Sequence, residues 1–278
     1  MAKIALAQFR STVGKVQPNK EKMIGMIRKA AKKGADIIVF PELFSTGYNL
    51  ELMGDILDDI SEWADGPVIN AARSEAAANG IYVILGVPYK ENGKRYNSAV
   101  MINDKGEVLN VYHKNNLWDV EQNYFEYGDH DYRVYDSHFG RFGVIVCYDV
   151  DFPETCRRLA LAGAQIIFVS AAWATTHRTL WDVYIPARAL ENTVFVAAVN
   201  RTGVEGSIIY FGDSKVCDPT GAVIARAGEN TEEILYCEAD VDIIESIRDA
   251  FPYLKELREY PPLPENKFRN SPKDGKAN

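Results

Sequence analysis

The stretch GRFGVIVCYDVDFPE, residues 140–154, decides how the rest of the chain is read. Its first half holds Phe142, Val144, Ile145 and Val146, a short apolar run rich in β-branched side chains, as expected of a buried strand. Cys147 follows, and then Asp149, Asp151 and Pro153, none of which suits a strand. An aspartate near a cap and a proline in a first turn mark a chain leaving a sheet and entering a helix. Cys147 is therefore expected at the carboxyl end of a buried strand, in a sharp strand-to-helix turn. α/β folds place reactive side chains there, and a nucleophile in such a turn stands beside free backbone N–H groups. From this stretch alone, a packed and inert core cysteine is an equally good reading.

The bulk numbers narrow the class. A chain of 278 residues makes one large domain or two small ones. With 47% hydrophobic and 25% charged residues, the composition is that of an ordinary soluble globular protein. A net charge of −8 argues against nucleic acid as a partner, which needs a basic face. Cys147, Cys156, Cys217 and Cys237 lie far apart and form no CxxC. The opening MAKIALAQF lacks the charged and apolar regions of a signal peptide. No apolar run approaches the ~18 residues of a membrane span. The expectation is a cytoplasmic protein with reduced thiols and no membrane partner.

Apolar period and turn residues organise the chain. Residues 3–9 (KIALAQF) read as a strand, and 18–33 as a helix with Met23, Ile27, Ala30 and Ala31 on one face, ended by Gly34. Residues 36–40 (DIIVF) are a continuous apolar run, expected of a strand buried on both faces, and stop at Pro41-Glu42. Helices are expected over 50–62 and 67–79, then a strand over 82–87. A hairpin follows, turning at Glu91-Asn92-Gly93-Lys94, with Asn-Gly the signal. A strand over 108–112 leads to His113-Lys114 and a loop over 115–129 that mixes aromatics with carboxylates, as functional loops do. Strands are expected at 132–135 and 142–147, a helix at 153–162, a strand at 165–170, and a helix over 177–191 interrupted at Pro186. Strands at 194–199, 207–210, 214–217, 223–226 and 234–239 precede a short helix at 241–249. From Pro252 onward, prolines and a Lys/Asn/Ser tail mark 251–278 as an extended arm, partly disordered.

GADIIVFPELF (34–44) and GAQIIFVSAAW (163–173) repeat one pattern, Gly-Ala-x-Ile-Ile followed by apolar residues. Each comes after a strand and a helix, and antiparallel hairpins come after each. Two such halves predict a four-layer α-β-β-α sandwich, two mixed sheets packed face to face with helices outside. No Pro/Gly/Ser linker divides residues 1–250, which are expected to form a single domain.

Glu42, Lys114 and Cys147 each fall just past or at the end of an expected strand. Singly, a glutamate after a proline can cap a helix, and a loop lysine is most often solvated. Together they are the parts of a thiol hydrolase: a base, a cation for an oxyanion and a nucleophile. The segments PELFSTGY (41–48), HKNNLWDVE (113–121), CYDVDFPE (147–154) and ARALENTVFVAAVNRTG (187–203) resemble the nitrilase, or carbon–nitrogen hydrolase, superfamily. The resemblance runs from about residue 3 to residue 245.

The resemblance implies a catalytic set of Glu42, Lys114 and Cys147 with a second glutamate. Glu121, seven residues after Lys114, matches the small amidases, and Glu126 is the competitor. It also implies the αββα sandwich, homodimers, and no metal or organic cofactor. Tyr148-Asp149 after the cysteine looks like the amidase branch, where the nitrilase branch commonly has Trp-Glu. The expected reaction is hydrolysis of a small carboxamide to acid and ammonia through a thioester. Glu42 acts as base, and Lys114 and the Tyr148 N–H hold the oxyanion. Hydrolysis of an N-carbamoyl compound and of a nitrile rank second and third, and a binding module without turnover is the alternative of another class. Tyr48, Trp118, Tyr148, Trp173 and His177 are candidate pocket walls, with core packing an equal reading for Tyr48 and Trp118. An aromatic pocket favours a small or mostly apolar acyl group. His113, His130, His138 and His177 have no metal-ligand spacing. Arg188, Glu191 and Asn192, within one helical turn, read as a packed ion pair or cap that also supports the site from behind.

Overall fold

The computed structural model of the protein describes residues 1–257. The first half of the chain runs β1 (Ala2–Gln8), α1 (Val16–Lys32), β2 (Ile37–Val39), α2 (Leu50–Met53), α3 (Pro67–Asn79), β3 (Tyr82–Glu91), β4 (Lys94–Ile102) and β5 (Val108–His113). The second runs β6 (Phe142–Val146), α4 (Pro153–Leu161), β7 (Ile166–Ala171), α5 (Arg178–Asn192), β8 (Phe195–Asn200), β9 (Thr202–Glu205), β10 (Ile208–Phe211), β11 (Lys215–Cys217) and β12 (Val223–Arg226). The chain then returns as β13 (Glu233–Ala239) and α6 (Ile243–Ala250).

Two mixed sheets result. One has the order β13-β1-β2-β3-β4-β5 and the other β12-β11-β8-β7-β6, with β9 and β10 as a separate hairpin. The strands β1, β2 and β3 are mutually parallel, as are β6, β7 and β8. Parallel strands need covered faces, which is why their sequences are continuously apolar. Along β1 and β2, Ile4, Leu6, Ile37 and Val39 enter the core shared with the second sheet. The alternate residues Ala5, Ala7 and Ile38 pack against Met23 and Ile27 of α1 and Val68 and Ala72 of α3. Leu159 of α4 and Trp181 and Ile185 of α5 cover the outer face of β6–β8. The layers are therefore α-β-β-α, as the repeated pattern implied.

The two echoing segments become the equivalent inner strands β2 and β7, each entered through a left-handed glycine, Gly34 (φ 75°) and Gly163 (φ 95°). Their carboxyl ends meet. The Ser170 hydroxyl donates to the Phe40 carbonyl (2.8 Å), and the Ala172 N–H donates to Glu42 Oε2 (3.0 Å). Gly86 on β3 makes this approach possible. A Cβ there would lie 2.3 Å from the Pro41 carbonyl oxygen and 2.6 Å from Glu42 Cα.

Several expectations need correction. The helix over 50–62 is only Leu50–Met53, followed by turns. Gly54 is a weak helix former, and Asp55, Asp58 and Asp59 repel at i,i+3 and i,i+4 spacing. The strand at 132–135 is a single bridge, Tyr135 to Phe142. Here Arg133 pairs locally with Asp131 instead of presenting an apolar face. Helix α5 runs unbroken through Pro186, because Trp181, Ile185, Arg188 and Ala189 anchor both sides of it in the core. Strand β9 was not anticipated: Gly203 and the buried Glu205 hide its period. Cys147 is not the last residue of β6 but the first of a 3₁₀ turn, Cys147–Asp151. The expected arm falls mostly in residues 258–278, which lie outside the described residues.

Candidate active site

Three strand ends converge on one point. Glu42 follows β2, Lys114 follows β5 and Cys147 follows β6. Lys114 is fixed by its backbone, its N–H donating to the Asn97 carbonyl (2.8 Å) across from β4. Glu121 arrives on a short 3₁₀ turn, Asp119–Asn123, inside the aromatic loop. Glu42, Lys114 and Glu121 are all fully buried.

The Lys114 ammonium lies between the two carboxylates. Nζ donates to Glu42 Oε1 (2.7 Å) and to both oxygens of Glu121 (2.9 and 2.8 Å). The remaining acceptor capacity is also used. Asn97 Nδ2 donates to Oε1 of both glutamates, at 2.7 Å each. Ala172 N–H serves Glu42 Oε2 (3.0 Å), and Trp118 N–H serves Glu121 Oε2 (2.6 Å). Burial alone would lower the pKa of Lys114, but the Glu121 and Glu42 carboxylates outweigh it and hold the pKa well above the usual lysine range. Burial pushes Glu121 upward, against the pull of Lys114. Two buried carboxylates and one ammonium leave this ring with one net negative charge.

Cys147 has φ 45°, a left-handed conformation that costs a non-glycine residue of order 1–3 kcal/mol. Such strain is the mark of a nucleophile elbow, where the side chain is turned off the sheet. The turn is clamped from below by Asp149. Its Oδ2 accepts from the Tyr112 hydroxyl (2.7 Å) and Val146 N–H (3.1 Å), and its Oδ1 from the N–H and side-chain amide of Asn116 (2.9 Å each). Arg188 holds the other side, donating to the Val150 and Asp151 carbonyls (2.7 and 2.8 Å) and pairing with Glu191 (3.0 Å). Asn192 caps back onto the Arg188 carbonyl (2.9 Å). Burial, with the nearby Glu42 carboxylate, pushes the Cys147 thiol well above its ordinary pKa, and Lys114 offsets this only in part.

Above Cys147 opens a cavity of about 210 Å³. Tyr48, Trp118, Tyr148 and Trp173 all line it, as do Tyr210 and His177. Trp118 meets Tyr148 and His177 edge-on, with ring centroids 4.8 and 5.2 Å apart. Burial, then the charges of Glu121 and Glu42, keep the Tyr48 phenol protonated far above its usual range. Glu126 is exposed, and among the described residues it is Glu121 that contacts Lys114 beside Glu42. His113 stacks on Tyr96 (4.0 Å) and bonds Ser98 (2.8 Å), outside the site. Cys156 and Cys217 are buried elsewhere in the core.

Sequence reasoning missed Asn97, Asn116, Tyr112 and Tyr210. For Asn97 a signal existed. It shares a β4 face with Ala99 and Met101, which enter the core between the sheets. A polar residue at a core-facing strand position has to meet a polar partner.

Comparison with known proteins bears on this geometry. A model of the carbon-nitrogen hydrolase family matches residues 3–249. The chain belongs to that family. It is 33% identical over 256 residues to a probable nitrilase of Schizosaccharomyces pombe, covering 90% of this chain and 93% of that one. It is 31% identical over 262 residues to the 2-oxoglutaramate amidase of Bacillus subtilis, covering 92% and 97%. A solved mutant of the amidase from Nesterenkonia sp. AN1, whose active-site cysteine has undergone Michael addition of acrylamide, superposes with a TM-score of 0.78. That match has 27% identity and covers 91% of this chain and 98% of that one. This carbon–nitrogen hydrolase is thus an enzyme of the amidase-like branch, acting on C–N bonds, and the reading as a binding module without turnover falls. Among its described residues, no helix is long and apolar enough to cross a membrane.

Proposed function

We propose that the enzyme hydrolyses a small carboxamide to a carboxylic acid and ammonia through a thioester on Cys147. The observation that carries this is the position of Cys147. It stands in a strained elbow that opens into the aromatic cavity, backed by the buried ring of Glu42, Lys114 and Glu121. A cavity of about 210 Å³ is below the ~300–1,000 Å³ of pockets for drug-sized ligands, which favours a small acyl group.

The resting thiol is protonated, so attack requires a base. Glu42 takes the proton and the sulfur attacks the carbonyl carbon. Protonation of Glu42 removes one of the charges holding Lys114, which frees an ammonium N–H for the developing oxyanion. The backbone N–H of Tyr148 joins it, since the first N–H groups of a helical turn lack intrahelical partners. Glu42 then gives its proton to the departing nitrogen, the C–N bond breaks, and ammonia leaves. A water molecule attacks the thioester, passing its proton through Glu42 back to sulfur. Glu121 holds Lys114 throughout. The homodimer implied by the family resemblance belongs to the same proposal, and light scattering tests it.

The test is ammonia release from a panel of small amides, ureido acids and nitriles. Release is expected from amides, lost in Cys147→Ala, with the acyl mass found on Cys147 in quenched reactions. Release from ureido acids or nitriles alone would overturn the amidase assignment. Release persisting in Cys147→Ala would overturn the nucleophile.

A further inference from the structure

The cavity above Cys147 has one carboxylate in its lining. Among the described residues, no lysine or arginine lines it, and the carboxylate that does is Asp151. Asp151 ends the same 3₁₀ turn that begins with Cys147. At a rise of ~2.0 Å per residue, the two lie about 8 Å apart along the turn.

The Asp151 carboxylate is unpartnered. Its Oδ1 is buried with no hydrogen bond, and no salt bridge among the described residues reaches either oxygen. Arg188 is close enough to act on it, but its guanidinium is committed to the Val150 and Asp151 backbone carbonyls and to Glu191. Lys114 is enclosed by Glu42 and Glu121. Burial lifts Asp151 to about 6, against the pull of Arg188 and Lys114, so it is ionised above neutral pH. A half-buried carboxylate without a counter-ion is costly unless something supplies the missing charge. The ring behind Cys147 adds a further net negative charge. Trp118, Tyr148 and Trp173 line the same cavity, and aromatic rings carry the quadrupoles that attract cations.

Taking the amidase reading above as its basis, we propose that Asp151 is the specificity-determining residue of this pocket and selects small carboxamides whose acyl chain ends in a protonated amino group. The ammonium supplies the partner that Asp151 lacks, while the aromatic walls enclose the alkyl chain. An acyl group ending in a carboxylate meets like charge and is rejected. In this respect the pocket differs from what the name of the Bacillus 2-oxoglutaramate amidase describes for that protein, since 2-oxoglutaramate is an anionic amide.

The experiment compares 5-aminopentanamide, pentanamide and 5-amino-5-oxopentanoate at pH 8. The cationic amide is expected to exceed the neutral one in kcat/KM by about 10- to 100-fold, the range of one hydrogen bond to a charged group, with the anion last. In Asp151→Asn the cationic-to-neutral ratio is expected to fall to within threefold of one, a change that loss of turn structure alone would not produce. Equal rates for the cationic and neutral amides, preference for the anion, or a ratio unchanged in Asp151→Asn would overturn the proposal. A second readout is independent of turnover. Pentylammonium is expected to slow alkylation of Cys147 by iodoacetamide in the wild type, pentanoate is not, and the protection is expected to vanish in Asp151→Asn. Absence of protection would overturn the proposal. If no amide at all releases ammonia, the amidase reading fails, and the protection assay still decides the role of Asp151.

Discussion

Replacing Asn97 with alanine tests the buried ring at the point where it is most dependent on one neutral side chain. Asn97 Nδ2 donates two 2.7 Å bonds, one to each catalytic-candidate glutamate. Hydrogen bonds to charged groups contribute ~1.5–3 kcal/mol each, so the two together bracket roughly 3–6 kcal/mol. Water entering the space left by the amide recovers part of this, which puts the expected loss at about 3 kcal/mol. At ~2.1 cal/mol/K per residue for 278 residues, that corresponds to a Tm decrease of about 5 °C. The same substitution removes a donor to the charged form of Glu121, which is already raised by burial, and so raises it further. The acid limb of the kcat/KM profile then moves to higher pH. Glu42 loses one of its positioning contacts, and a displacement of ~1 Å at a reacting group costs about 10²-fold in rate. Urea unfolding, calorimetry and a pH–rate profile measure all three. An Asn97→Ala enzyme within 1 kcal/mol of wild-type stability (~1.4 kcal/mol is a tenfold change in the equilibrium) and within threefold of its kcat/KM would refute the reasoning.

Other predictions follow from the same geometry. Lys114→Met leaves two buried carboxylates without their cation and is expected to destabilise by about 3–5 kcal/mol; denaturation should show part of this recovered by adding Glu121→Gln. In Glu42→Gln the Cys147 thiol has no base; losing the Glu42 charge lowers it in part, but burial still holds it up, so the rate of iodoacetamide alkylation should keep rising past pH 9.0 without a plateau below it. Gly86→Ala would drive a methyl group into Pro41 and the backbone of Glu42, and kcat is expected to fall by about 10²-fold with a smaller change in KM. Asp149→Asn puts an amide donor where four donors converge, which strands at least one of them; a loss of about 2 kcal/mol or more is expected in urea unfolding.

The layers of the fold were legible because continuous apolar runs at 36–40 and 165–170 have one good explanation, strands covered on both faces. The echo between them identified the two halves, and the hairpin turning at Asn92-Gly93 was set by local chemistry. One misreading came where packing overrode local preference. Pro186 lies in an unbroken helix because its flanks are buried; in 54–60, by contrast, local chemistry decides, and Gly54 with Asp55, Asp58 and Asp59 keeps the chain in turns despite Ile56, Leu57 and Ile60. Glu42, Lys114 and Cys147 were recognisable because each is a reactive residue that follows a strand abruptly. Asn97 could be flagged as a polar residue on the core-facing side of β4, but its partners lie 55 and 24 residues away and no local rule names them. Asp149 was read as a turn residue when its role is to hold four donors beneath the elbow. Asp151 drew notice as a residue near the cap, and its lack of a partner could be seen only in the folded chain.

The charge count of the site explains why the thiol is held protonated at rest. Glu42, Glu121 and Lys114 sum to one negative charge in an enclosed volume where unpaired charge is strongly disfavoured. A resting thiolate would make the sum two. In the proposed cycle the proton moves from sulfur to Glu42, and the single negative charge moves from Glu42 to sulfur and on to the substrate oxygen. No step adds a charge to the interior, so the fixed donors Lys114, Asn97, Ala172 N–H and Trp118 N–H need little rearrangement as the reaction proceeds. The residual negative charge is also the reason an acyl chain bearing a cation suits this pocket. With such a substrate bound, the excess charge of the ring and of Asp151 is offset from the cavity side, and the oxyanion forms in a field that is less negative than that of the empty site.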